Sequence, residues 1–223
     1  MHRTGELSGQ YQTLEQQKES ATLGMWIFLS TEILFFGGLF LTYTINRHTY
    51  ADVFSFSSRT IKLSWGAINT VVLIGSSLTM AMSVWAAEVG KKKLVTLFLI
   101  ATLLLGTVFL GIKGIEYHDK FVEHHVPGPA FHFPGHVPGH PNIPIHQQHA
   151  QIFFSLYFVM TGLHALHMII GVGLFAFITY NAMRRRYGPD YYTPVEVAGL
   201  YWHFVDIIWI YLFPLLYLID RSK

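Results

Sequence analysis

Tyr201-Trp202-His203-Phe204-Val205-Asp206 places an imidazole and a carboxyl three residues apart, on one face of a helix, within an apolar and aromatic stretch. Three more ionisable side chains, Glu32, His164 and His167, stand in comparable surroundings. At membrane depth such groups are costly unless paired, so they mark either a site or a buried polar contact. Acids and imidazoles together can relay protons, hold a haem or metal, or bond one helix to another. The elements that carry them decide which chemistry is open.

Those elements read as membrane helices. Of the 223 residues, 52% are hydrophobic and 13% charged, where soluble domains carry about 25% charged. No Asp, Glu, Lys or Arg occurs between Lys62 and Glu88, between Lys93 and Lys113, or between Glu123 and Arg184. The pattern predicts an all-α polytopic bundle of five spanning helices, at about 23–46, 63–88, 94–117, 152–181 and 197–219. Each meets the roughly 20 residues that a bilayer needs. Residues 1–22 read as a polar tail and 23–223 as one transmembrane domain. The tail has no hydrophobic signal core, so the first apolar segment is expected to be a permanent helix.

Lys91-Lys92-Lys93 and Arg184-Arg185-Arg186 fill the loops after the second and fourth helices. The positive-inside rule then predicts that these loops and the N-terminus are cytoplasmic, with the C-terminus outside. The outer loop 118–151 holds six of the nine prolines and eight of the thirteen histidines. Its Pro-Gly and Gly-His steps predict turns and extended chain without a helix. A net charge of +2 gives no footing for nucleic acid. The absence of cysteine excludes disulfides and thiolate-held metals.

Helical rise places Glu32, His164, His167 and Asp206 close to mid-membrane, with His203 one turn away. The expected pairs are Glu32 with His164 or His167, and His203 with Asp206. A proton conduit strings such groups from face to face, whereas these form one layer. Interhelical hydrogen bonds, worth about 0.6–2 kcal/mol each, are therefore the preferred reading over a relay. His164 and His203 could bracket a haem, but a haem–copper centre needs more histidines than these helices supply. The outer histidines lack helical pair spacing and a thiolate, so the loop reads as a docking surface rather than a zinc or copper site. No catalytic residue and no metal ligand is assigned to the chain. Lys113 and Glu116 read as an ion pair at the membrane interface, and Glu196 as a helix cap or head-group contact. Trp26, Trp65, Trp202 and Trp209 read as belt and packing residues that touch lipid or an interface.

Four stretches carry a family resemblance: residues 24–36 (Gly24-Met25-Trp26 through Phe35-Phe36), Gly114-Ile115-Glu116-Tyr117, Thr161 to Gly171, and Glu196 to Trp209 with its Tyr201–Asp206 core. The chain resembles cytochrome c oxidase subunit III of haem–copper oxidases, in the five-helix bacterial form. The resemblance implies a subunit without haem or copper of its own, packed against catalytic subunit I and near subunit II in a bacterial cytoplasmic membrane. It implies a complex that reduces O2 and moves protons. This subunit would support proton uptake, protect subunit I from inactivation during turnover and hold bound phospholipid in a cleft. Glu32 matches the family's intramembrane glutamate, and His167 falls where its partner is expected. The Pro- and His-rich loop departs from the family's common short form. Alternatives left open are the equivalent subunit of a quinol oxidase or nitric-oxide reductase-type complex, and an independent proton-coupled transporter.

Overall fold

The computed structural model describes residues 11, 13–129, 131–133, 136–137, 140–144, 146–184, 187–189 and 191–218. Arg185, Arg186 and the last five residues, 219–223, lie outside this set, as do residues 1–10 of the tail. Five long helices are apolar enough to cross a membrane: α1 (Leu14–Thr49), α3 (Leu63–Glu88), α4 (Lys92–Val122), α5 (Gln147–Met183) and α6 (Thr193–Phe213), which runs on as a π-helical turn to Leu218. A short helix, α2 (Ala51–Arg59), joins α1 to α3. A two-stranded antiparallel ribbon, β1 (His136–Val137) and β2 (His140–Pro144), lies in the long loop. The fold is the expected all-α polytopic bundle with this one small ribbon.

Helix α1 begins nine residues before the predicted start, because residues 14–22 are polar but good helix formers. Thr13 caps it: Gln16 N–H donates to Thr13 Oγ1 at 3.1 Å, the Thr-x-x-Gln form of the capping box. Residues 14–22 of the predicted tail are thus helical. Helix α2 was not expected from hydropathy, since its burial is amphipathic. Val53, Phe54, Ser57 and Ser58 face inward while Asp52 and Arg59 are exposed. At the other end of α3, Gly90 adopts φ +76°, and Lys91 N–H closes back on Ala86 O at 2.8 Å, a glycine C-cap. His124 takes the same left-handed role after α4, at φ 56°.

The chain forms two compact units. The first comprises Met1–Ile33, Val72–Val108 and His167–Ile207. Its core centres on Trp202, which is fully buried, lies edge-on to Phe175 at 4.8 Å and donates its indole N–H to Ser76 Oγ at 2.9 Å. Gly106 and Gly171 make room for that ring. A Cβ on either would stand 2.7 Å from it.

The second unit comprises Leu34–Val71, Phe109–Leu166 and Ile208–Lys223. There Trp209 donates to Thr70 Oγ1 at 3.1 Å and meets Phe109 edge-on at 4.9 Å. Pro214 removes an N–H and crowds the carbonyl four residues back, so the helix widens into its π-turn. The loosened carbonyls find side-chain donors: Tyr43 OH bonds Leu215 O at 2.9 Å, and Ser58 Oγ bonds Leu216 O at 2.7 Å.

The outer loop is tied down near its start. The Gln147 amide brackets Phe133, accepting from its N–H and donating to its carbonyl. The His125 ring stacks on Phe154 at 5.0 Å and against Phe133 at 5.2 Å. Burial, with Lys120 adding to it, holds the His125 imidazole below its ordinary value despite Glu123 at 3.1 Å.

Two outcomes follow. Gly106→Ala should destabilise the protein by about 1–3 kcal/mol by overpacking Trp202, while Gly37→Ala, with open space around it, should not; thermal unfolding in detergent compares them. Protonating His125 favours the undocked loop, so docking is full above its ordinary pKa of about 6.5 and weakens as the pH falls below it. Proteolysis within residues 123–133 should therefore quicken on acidification in the wild type and show no such change in His125→Phe.

Candidate functional site

Of the expected pairs, one forms. His167 Nε2 lies 3.3 Å from Glu32 Oε2, joining α5 to α1 within the first unit. Both side chains are mostly shielded. Tyr201 of α6 closes the site: its hydroxyl donates to the His167 carbonyl at 2.8 Å, its ring lies along the imidazole, and Phe28 stacks on it at 6.1 Å. Three helices thus converge on one acid–imidazole contact. Such a pair can hold or exchange a proton, and it can also simply fix α1, whose exterior is otherwise broadly exposed.

His164 is not the partner of Glu32. It lies in the second unit, edge-on to Phe109 at 5.4 Å and against Trp209 at 5.2 Å. The His203–Asp206 pair does not form either. His203 Nδ1 bonds Ser77 Oγ of α3 at 2.8 Å, and neither Asp206 carboxyl oxygen makes a hydrogen bond, although the residue is only 3% exposed. The two share a helix face, but the facing Ser77 hydroxyl takes the imidazole.

Trp26, Trp65, Trp202 and Trp209 divide. Trp26 is 54% exposed and Trp65 partly exposed, which leaves both open to the lipid or interface contact expected of all four. Trp202 and Trp209 contradict that expectation: both are fully buried, because serine and threonine hydroxyls on α3 satisfy their N–H groups. Glu196 sits in the first turn of α6, where the helix dipole favours an acid, and pairs with Lys18 of α1 at 3.4 Å.

One cluster was underestimated. Lys113 and Glu116 are an ion pair at 2.9 Å, but a buried one, not a surface pair. Lys113 Nζ also donates to Tyr217 OH at 2.8 Å and sits 4.8 Å from the Trp209 ring. Glu116 accepts from Tyr157 OH at 2.7 Å and from Tyr217 OH. A lysine three residues before a glutamate in an otherwise apolar run signals the pair, but the tyrosines that bury it come from α5 and the π-turn, far off in sequence. Ser76, Ser77 and Thr70 were missed for the same reason.

The first unit also holds a cavity of about 820 Å³ between the starts of α1 and α6 and the end of α5. Its walls include Met25, Leu174, Phe177 and Val197, with Lys18 and Tyr192 among its polar lining. Among the described residues no group of three or more His, Asp or Glu is placed to hold a metal ion.

The family model described as cytochrome c oxidase subunit III matches residues 147–220, which contain α5, α6 and most of these groups. Cytochrome c oxidase subunit 3 of Corynebacterium diphtheriae is 30% identical over 201 residues, covering 89% of this chain and 88% of the relative. The chain belongs to the cytochrome c oxidase subunit III family. Subunit 3 of Thermostichus vulcanus cytochrome c oxidase is also 30% identical, over 200 residues and 89% of this chain and 87% of the relative. Quinol oxidase subunit 3 of Bacillus subtilis is 29% identical over 208 residues, covering 92% of this chain and 91% of that relative. The family thus includes oxidase subunits of both donor types, and membership makes this chain a multi-pass component of an oxidoreductase complex.

Removing one member of the buried pair should reveal its cost. Lys113→Met leaves Glu116 uncompensated and should destabilise by about 3–5 kcal/mol. Lys113→Met with Glu116→Gln should recover a large part of this, giving a coupling energy in a double-mutant cycle. Additive effects in detergent unfolding would refute the pairing.

Proposed function

We propose that this chain is the non-catalytic, supporting subunit of a terminal haem–copper oxidase in a bacterial inner membrane. The observation that carries the reading is the end-to-end similarity to subunit 3 proteins, nearly complete on both sides of each comparison. In this reading the oxidase reduces O2 and translocates protons, and haem and copper belong to its catalytic subunit I. The chain ligates no redox centre itself. It packs against subunit I, with subunit II nearby, and stabilises that core during turnover. Its N-terminus and the Lys91-Lys92-Lys93 loop face the cytoplasm, and its C-terminus lies outside.

Glu32 and His167 act here as a positioning pair that supports proton uptake. Their geometry, with Tyr201 locking the histidine's backbone, suits a contact that holds α1 on α5 and α6. Bound phospholipid fits the cavity at the starts of α1 and α6: apolar walls suit acyl chains, and Lys18 suits a head-group phosphate. Cytochrome c is the first donor to test. The similarity to Bacillus subtilis quinol oxidase subunit 3 keeps quinol as the specific second reading.

Purification in mild detergent tests both the complex and the pair. The tagged chain should bring down an oxidase core with a haem a spectrum that oxidises either cytochrome c or quinol. Glu32→Ala should lower the yield of this chain in the complex or shorten the turnover lifetime of the oxidase. A colourless monomer with transport activity would overturn the assignment. Unchanged assembly and turnover lifetime in Glu32→Ala would remove the positioning role.

A further inference from the structure

The α3–α4 turn and the α5–α6 loop, far apart in sequence, pack on each other in the first unit. A Cβ on Gly90 would stand 3.0 Å from the Pro189 ring, and one on Gly188 would stand 3.3 Å from Cε of Lys92. In the sequence these loops carry six basic residues, Lys91–Lys93 and Arg184–Arg186, against the two acids Glu88 and Asp190. Their contact therefore joins two basic clusters into one patch. Lys91, Lys93 and Arg184 are exposed, and no ion pair among the described residues includes any of them. Two of these cations rest on aromatic rings: Lys91 Nζ lies 4.8 Å from the centre of the Trp85 ring, and the Arg184 guanidinium 4.4 Å from that of Tyr180. Both rings are themselves exposed, in the last turns of membrane helices, which is the level that interfacial aromatics occupy. Below them, Met82 and Leu78, one and two turns before Trp85, are exposed apolar surface. A hollow of about 440 Å³ opens among Lys91, Lys92, Lys93 and Leu94.

We propose that this joined patch binds acidic phospholipids, with phosphodiester groups at Lys91, Lys93 and Arg184 and an acyl chain along the Met82–Leu78 face of α3. Like charges on two touching loops repel each other, and a phosphodiester between them turns that repulsion into attraction. The bound lipid therefore clamps the α3–α4 turn to the α5–α6 loop. Depth decides for a lipid over a free anion: the cations stand at head-group level, directly above apolar surface that acyl chains cover. The patch is separate from the cavity at Lys18, which none of these three cations lines. It is also opposite to that cavity in character, since Lys18 already pairs with Glu196.

The inference rests on the membrane helices and not on the oxidase reading. The tagged chain, in whatever complex it purifies with, is placed in phosphatidylcholine nanodiscs containing brominated phosphatidylglycerol or brominated phosphatidylcholine. Quenching of Trp85 is read as the difference between the wild type and Trp85→Phe, so lipid bound elsewhere on the protein cancels. At low salt, half-quenching should need at least about tenfold less phosphatidylglycerol than phosphatidylcholine. Lys91→Gln with Lys93→Gln and Arg184→Gln should abolish that preference. If the triple variant does not assemble, Lys93→Gln alone should lower the preference about fivefold and Lys93→Arg should keep it. Inorganic phosphate, matched in ionic strength to a chloride control, should leave the lipid in place. Equal quenching by the two lipids, a preference indifferent to these substitutions, or displacement by inorganic phosphate overturns the proposal.

Discussion

Hydroxyl groups of α3 hold α6 in place. Trp202 bonds Ser76, His203 bonds Ser77 and, two turns on, Trp209 bonds the earlier Thr70. In lipid there is no hydrophobic drive to bring two apolar helices together, and an indole N–H left unpaired has no water to turn to. Three polar contacts therefore do what an apolar stripe does in a soluble bundle: they choose the face and the register. Gly106 and Gly171 complete the arrangement by letting the largest side chain on α6 approach its neighbours.

Much of the rest depends on that register. With α6 fixed, Tyr201 reaches the His167 carbonyl, and the Glu32 contact gains its third wall. At the other end, the π-turn after Pro214 delivers Tyr217 to Lys113 and Glu116. A lysine inside a membrane bundle is tolerable only with a full set of partners, and here a carboxylate, two phenols and an indole face supply them. Asp206 has no such set: among the described residues neither of its carboxyl oxygens makes a hydrogen bond.

Subunit III membership and local geometry bear on different questions. Similarity along nearly the whole chain speaks for a place in an oxidase complex, with relatives of both donor types. Geometry says which side chains within the chain can act on one another. Glu32 and His167 can; His164, facing Phe109 and Trp209, answers to a different neighbourhood.

Hydropathy alone determined that this protein is a five-span helical bundle, because a 20-residue apolar run has no other stable state in a bilayer. The start of α3 and its end were legible to the residue, since Lys62 and Glu88 bound a run with no charge between them. The family was legible too, from motifs that lie within single helices. Pairing was not. Asp206 and His203 share one helix and were expected to bond, yet a serine 126 residues away from His203 took the imidazole. Lys113 looked like an interfacial residue until Tyr157 and Tyr217 enclosed it. Sequence spacing reports which side chains share a face. Only tertiary structure decides what that face meets, because hydrogen bonds in a dry interior go to the nearest well-aimed partner, and that partner came from another helix.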